Sequence, residues 1–171
     1  MATTAYIEPF PNDVDRCAFG NWLSGFCDGE ACFIIQVDSR STHVGCHAFI
    51  RIQLRDDDLD ILRMIQSYWQ CGNIYKRKRI SLTRHNNPNC EYVVSGWRVL
   101  TSVVIPHFEQ YPLRAKKSKD FVIWKDAVEF ANTVSLRGTG GVKKWSDVCL
   151  DVFSSYVSLI KQGRAYKSIE R

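Results

Sequence analysis

"GNWLSGFCDGEACFIIQVD", residues 20–38, decides how the chain folds. Around its first half the apolar residues have helical spacing: Phe19, Trp22, Leu23 and Phe26 share a stripe and predict a core-facing surface. Gly20, Ser24, Gly25 and Gly29 leave another face nearly bare of side-chain bulk. Asp13 or Asp15 is placed to cap the helix start, and the helix is expected to run to about Asp28. The second half, "ACFIIQVD" (31–38), is too short for another helix and rich in strand formers. At the junction two carboxylates, Asp28 and Glu30, flank one glycine. A helix C-terminus carries unpaired carbonyls and negative dipole character, so acids there need a counter-charge. A divalent cation that takes hard oxygen ligands, Mg²⁺, meets that need. The bland alternative is a plain acidic turn.

Outward from this stretch the pattern continues. A polar loop "SRSTHVG" (39–45) leads to "CHAFIRIQLR" (46–55), in which Ala48, Ile50, Ile52 and Leu54 face one way and His47, Phe49, Arg51, Gln53 and Arg55 the other, as in a half-buried antiparallel pair. "DDDLDILRMIQSYW" (56–69) has an acidic start and helical apolar spacing, with Gly72 as its stop. A second hairpin is expected over 73–82 and about 90–95. Ser95 is placed to cap the next helix, Pro106 interrupts it or starts a new one, and two amphipathic helices follow. The order α-β-β-α-β-β-α-α-α predicts an α+β layer with one four-stranded antiparallel sheet and helices on one face. Residues 1–14 read as an arm and 15–171 as a single domain.

Composition narrows the function. With 45% hydrophobic and 24% charged residues the chain is globular, and no apolar run approaches a membrane span. Glu8, Asp13 and Asp15 near the start argue against a secretory signal, and seven cysteines with no CxxC pair favour a reducing, intracellular location. A zinc site from His43, Cys46 and His47 is disfavoured, because neighbouring strand residues point to opposite faces. Glycoside hydrolysis is disfavoured too, since Asp28 and Glu30 are not placed to face each other across a substrate. The net charge is +5, and "YKRKRISLTRHNN" (75–87) and "LRAKKSK" (113–119) concentrate the basic residues. Two such runs favour a polyanion partner.

The bare helix face lets a second helix approach backbone to backbone. If that helix belongs to a second copy, a two-fold axis runs between them and two Glu30 residues meet at one end. That arrangement suits two-metal phosphodiester hydrolysis of a duplex. "LSGFCDGEA" (23–31) resembles the nine-residue signature of the LAGLIDADG homing endonucleases; the following "CF", "CGNIY" (71–75) and "YPLRAKK" (111–117) also resemble that family, over roughly residues 15–131. A single copy of the signature implies the homodimeric branch and an αββαββα fold with a saddle-shaped sheet and extra C-terminal helices. The resemblance implies that Glu30 binds metal beside Gly29, that Asp28 helps end the helix, and that Ser24 and Gly25, with Asp28, form the dimer interface. It matches the family's lysine near the cleavage centre to Lys116, or to Lys117 one register on. The water-orienting polar residue falls at Leu54, with Gln53 the nearest replacement and Arg55 the next. Mg²⁺ is the expected cofactor, with Ca²⁺ binding without supporting cleavage.

Gln36, Asp38 and Arg40, then Arg51, Gln53 and Arg55, then Tyr75, Arg77 and Arg79 share the polar faces of three strands. Arginine to guanine and glutamine to adenine are favoured base pairings. These residues and Lys117 are the expected DNA contacts, on a long near-palindromic double-stranded site. The rival reading is a non-cleaving nucleic-acid binder, such as an RNA maturase or transcription factor on the same fold.

Overall fold

The computed structural model of the chain describes residues 6–40, 43–77, 88–136 and 145–164. Helix α1 (Arg16–Glu30) starts at Asp15, whose Oδ1 accepts the amides of Cys17 and Ala18 at 2.7 and 3.1 Å. No loop follows it. Ala31, in extended conformation, closes the helix by donating its amide to the Cys27 carbonyl and begins strand β1 (Ala31–Arg40). β2 (His43–Arg55) pairs antiparallel with it from Ala31↔Ile52 to Arg40↔His43. The expected 39–45 loop is therefore mostly strand, and only 41–42 separate the two.

A 3₁₀ turn (Asp56–Asp58) leads into α2 (Leu59–Trp69). The stop comes before the expected Gly72, at Gln70, which takes the left-handed conformation with φ 53°. Gly72 also has positive φ and lies tight against Tyr92, where a Cβ would stand 2.7 Å from the ring. β3 (Asn73–Arg77) and β4 (Asn89–Ser95) complete an antiparallel sheet of order β1-β2-β4-β3. The expected extension of β3 to residue 82 lies outside the described residues.

Gly96, with φ 92°, holds the cap position of the next helix, and Ser95 instead ends β4. α3 (Trp97–Val99), a π-helical turn (Leu100–Val104) and α4 (Ile105–Gln110) then run on as one rod. The Ile105 amide reaches back five residues to the Leu100 carbonyl, and this wider turn accommodates Pro106, which has no amide to donate. α5 (Lys117–Leu136) and α6 (Asp147–Arg164) follow. Among the described residues no helix is long and apolar enough to cross a membrane.

The inner sheet face carries Phe33, Ile50, Ile52, Tyr92 and Val94, all buried against Leu23 of α1, Leu62 and Ile65 of α2, Trp124 and Val128 of α5 and Phe153 of α6. Within the lead-in segment, residues 8 and 10 are docked. Phe10 is buried among Phe19 and Tyr68, and the Glu8 carbonyl accepts Gln70 Nε2.

The rotation of α1 departs from expectation. Its inner face is Gly20, Leu23, Ser24 and Cys27, Phe19 and Phe26 are partly buried against the core, and Trp22, 44% exposed, stacks on Phe26. The small residues explain this. A Cβ on Gly20 would lie 2.5 Å from the Tyr111 ring, and Ser24 Oγ donates to the Tyr111 carbonyl at 2.6 Å. Half of the bare face thus serves close packing within the chain. Ser24, expected at a dimer interface, is 4% exposed and points inward. Gly25 and Gly29 are the outward part: an added Cβ at either meets nothing within 4 Å.

His107 of α4 lies in the same junction, buried against Tyr68, Trp69, Phe108 and Tyr111, with Nε2 3.3 Å from Ser24 Oγ. Burial lowers its pKa from 6.5 to about 4. The unfolded chain therefore takes up this proton first as pH falls. The stability tied to neutral His107 is fully present above pH 6.5 and is lost as pH drops toward about 4, by up to about 3 kcal/mol. Urea midpoints measured from pH 7 to pH 4.5 should decline, and His107→Phe should flatten that decline; equal slopes in both chains contradict this assignment.

Candidate active site and outer sheet face

Glu30 is the last residue of α1, and its side chain is exposed. The segment joining α4 to α5 folds against it. Asp28 Oδ2 accepts the amides of Arg114 and Ala115 at 2.7 and 3.1 Å, across 86 and 87 residues of sequence. The other oxygen, Oδ1, is buried with no partner among the described residues. Ala115 in turn seeds α5, its carbonyl accepting the Ser118 amide and hydroxyl at 3.0 and 2.7 Å. Lys117, the first residue of α5, then reaches the Gly29 carbonyl with Nζ at 2.5 Å.

This chain of contacts answers much of the charge problem at the junction. α1 has no basic residue in its last turn, so its negative end is met by Lys117 from another helix. Asp28 is held by amides, a structural task. Glu30 is left as the carboxylate with exposure and no such task. Of the two expected lysines, Lys117 stands beside Glu30's neighbour, while Lys116 is exposed and joins the junction through its carbonyl, which accepts the Lys119 amide at 3.1 Å.

Gln53 joins this group by register. Ala31 faces Ile52, so Glu30 lies one step before that pair and Gln53 one step after it on the adjoining strand. Gln53 is exposed and continues across the sheet to Glu91 and Tyr75. Glu91, buried at 7%, was not anticipated; its place in the alternation of "NCEYVVS" was the available signal.

The donor set fits a hard cation only in part. A single chain offers the Glu30 carboxylate and helix-end carbonyls, all oxygen, as Mg²⁺ or Ca²⁺ requires. No group of three His, Cys, Asp or Glu side chains gathers among the described residues. Further ligands must come from phosphate, water or a second chain. The neighbouring Cys27 thiol is fully buried, and burial pushes its pKa up, so it stays neutral and unsuited to ligation. The disfavoured zinc set does not form: Cys46 is buried, its thiol pushed up to about 12 chiefly by burial, and His47 faces the opposite side; the His43 side chain is outside the described residues.

The outer sheet face carries Gln36 and Asp38 of β1, Arg51, Gln53 and Arg55 of β2, and Tyr75 of β3, as the alternation predicts. Arg40 and Arg77 occupy outward register positions, their side chains and all of Arg79 lying outside the described residues. Arg55 is committed within the chain, donating to both Asp57 oxygens at 3.1 and 2.6 Å. The face is less polar than expected, since Ile34, Phe49 and Val93 also lie on it.

A sequence profile of the LAGLIDADG endonucleases matches residues 23–128, well over half of the chain and the whole span from the α1 signature into α5. The chain belongs to the LAGLIDADG endonuclease family. Among its LAGLIDADG relatives, a probable intron-encoded endonuclease 3 of Neurospora crassa is 36% identical over 115 residues, covering 65% of this chain and 20% of that protein. A probable intron-encoded endonuclease 2 of the same organism is 31% identical over 112 residues, 63% of this chain and 22% of that protein. The chain thus spans about a fifth of the length of these relatives. Among solved structures, the meganuclease I-AabMI bound to uncleaved DNA superposes with a TM-score of 0.62 at 25% identity, over 80% of this chain and 43% of that one. I-SmaMI, bound to an uncleaved DNA target in the presence of calcium ions, superposes with a TM-score of 0.69 at 20% identity, over 90% and 47%.

If Asp28 holds the α4–α5 segment in place, Asp28→Ala strands two amides and should cost about 1–3 kcal/mol. Hydrogen exchange at the Arg114 and Ala115 amides should accelerate well beyond the rest of α5. Unchanged exchange there contradicts the clamp.

Proposed function

We propose that the chain is one half of a two-fold DNA endonuclease that hydrolyses both strands of a long, near-palindromic duplex site with Mg²⁺. The observation that carries this reading is the Lys117 ammonium on the Gly29 carbonyl, next in the chain to the exposed Glu30, at the edge of a sheet whose outer face carries Arg and Gln. Family membership and DNA-bound structural relatives support it. All seven cysteines are unbridged, in keeping with a reducing intracellular compartment.

In this reading Glu30 supplies the carboxylate that holds the ion. The ion, when bound, polarises a phosphate oxygen and makes attack by water feasible at neutral pH. Lys117 neutralises charge on the scissile phosphate. It rests on the Gly29 carbonyl, and a divalent cation cannot share that oxygen with an ammonium group without strong repulsion. Were an ion to take the Gly29 carbonyl as a ligand, Lys117 would have to leave that oxygen. Gln53, opposite Glu30 when the β1–β2 register is carried one step past Ala31↔Ile52, orients the attacking water. Arg51, Gln36 and Tyr75 contact the major groove, with Asp38, Arg40, Arg77 and Arg79 extending the footprint.

The second half is a second copy of this chain, docked through the outward face of α1. Gly25 and Gly29 allow close backbone approach, and the exposed Trp22, stacked on Phe26, supplies apolar area. The solved relatives are about twice as long as the part this chain covers, which leaves room in each for a second unit of this size.

Two experiments test the reading. Glu30→Gln should retain duplex binding within a few-fold while Mg²⁺-dependent cutting falls at least about a hundredfold, on the scale of losing a main electrostatic group. Normal cutting by that variant refutes the metal role, and a wild-type chain that binds but never cuts points to the non-cleaving reading. Gly25→Leu should convert a dimer to monomer in sedimentation velocity. A tight dimer in that variant puts the interface elsewhere.

A further inference from the structure

Three apolar side chains on the outer sheet face stand apart from the core. Ile34 sits directly across from Phe49, Phe49 is flanked on its other side by Ser95, and Val93 follows one row on, opposite Arg51. All three are half-buried, yet none joins the core, which lies on the other side of the sheet. Where β4 leaves the sheet at Gly96, a hollow of about 450 Å³ opens, with Phe49, Val93, Gln36, His47 and Ser95 among its walls. Single exposed apolar residues need no explanation. Three neighbours in consecutive cross-strand rows, two of them lining a hollow that Gln36 also lines, are a patch.

We propose that this patch reads thymine: Phe49 and Val93 receive the C5-methyl group of a T·A pair in the major groove, and Gln36 fixes the pair's orientation. The inference rests on the reading of the outer face as a DNA surface and deepens it. The thymine methyl is the apolar feature that ordinary base pairs present in the major groove, and phenylalanine is a recognised contact for it. Glutamine beside it matches the N6 and N7 edge of the partner adenine. A protein partner fits less well, because three half-buried side chains fall far short of the roughly 800 Å² per partner of a stable interface. Duplex RNA fits worst: uracil lacks the methyl, and the A-form major groove is too deep and narrow for side chains to read. The patch therefore also biases the chain toward DNA.

The test uses the whole chain and a randomised duplex DNA library. Bound sequences are selected with the wild-type chain and with Phe49→Ser, and the base pair whose preference relaxes in the variant should be T·A. Each thymine of the selected site is then replaced singly by deoxyuridine. Wild-type binding should weaken roughly fourfold where the methyl meets the patch, the value of one buried methyl, and Phe49→Ser should not respond there. The deoxyuridine scan on the wild-type chain decides the matter even if the variant misfolds. Insensitivity to every substitution, or relaxation at a G·C pair, overturns the thymine assignment and leaves DNA binding standing. Failure to enrich any duplex overturns both.

Discussion

One carboxylate organises the candidate site. Asp28 sits where α1 gives way to β1, and it holds the amides of Arg114 and Ala115, 86 and 87 residues further along the chain. An acid at a helix C-terminus is unfavourable in isolation. Two charge-assisted hydrogen bonds offset that cost, and they fix where α5 begins. The start of α5 in turn sets Lys117 on the Gly29 carbonyl. The position of the ammonium group beside Glu30 is thus a consequence of Asp28, although Asp28 itself faces no substrate in the proposed reading.

The small residues of α1 divide into two sets with different physical reasons. Gly20 and Ser24 let the helix press against Tyr111 and the end of α4, where any larger side chain collides. Gly25 and Gly29 lie on the open side and are spare within one chain. On a helix the residues at i, i+4 and i+5 span two faces, so a run of small residues cannot disclose which of them packs internally. For the same reason the stripe read as core from its spacing is only partly so: Leu23 is fully buried and Phe19 and Phe26 pack against the core, whereas Trp22 is 44% exposed. Periodicity gives the width of an apolar stripe but not which side the sheet will take.

The strands were far more legible. Alternation in "CHAFIRIQLR" placed each residue on its observed face, because a two-residue period leaves only two choices and the core selects one. The element order and the antiparallel sheet followed from spacing and turn residues. What spacing could not show was pairwise chemistry: that Arg55 would engage Asp57, that Glu91 would lie beside Gln53, or that Lys117 rather than Lys116 would turn toward the helix end. Adjacent lysines at a helix start point about 100° apart, and only the anchoring of Ala115 selects between them. Asp15 caps α1 as its position suggested, but the cap of α3 escaped the sequence, since Ser95 is a better cap former than Gly96 and the positive φ needed to leave the sheet there falls to the glycine.

The most direct test of this account is a crystal structure of the chain with its selected duplex and Ca²⁺, which holds the complex without cutting in the proposed reading. Two copies should be joined along α1, each with a Glu30 oxygen about 2.3–2.6 Å from an ion at the scissile phosphate, and Lys117 turned from Gly29 toward that phosphate. An ion bound away from Glu30, or Lys116 at the phosphate with Lys117 still on the Gly29 carbonyl, contradicts it.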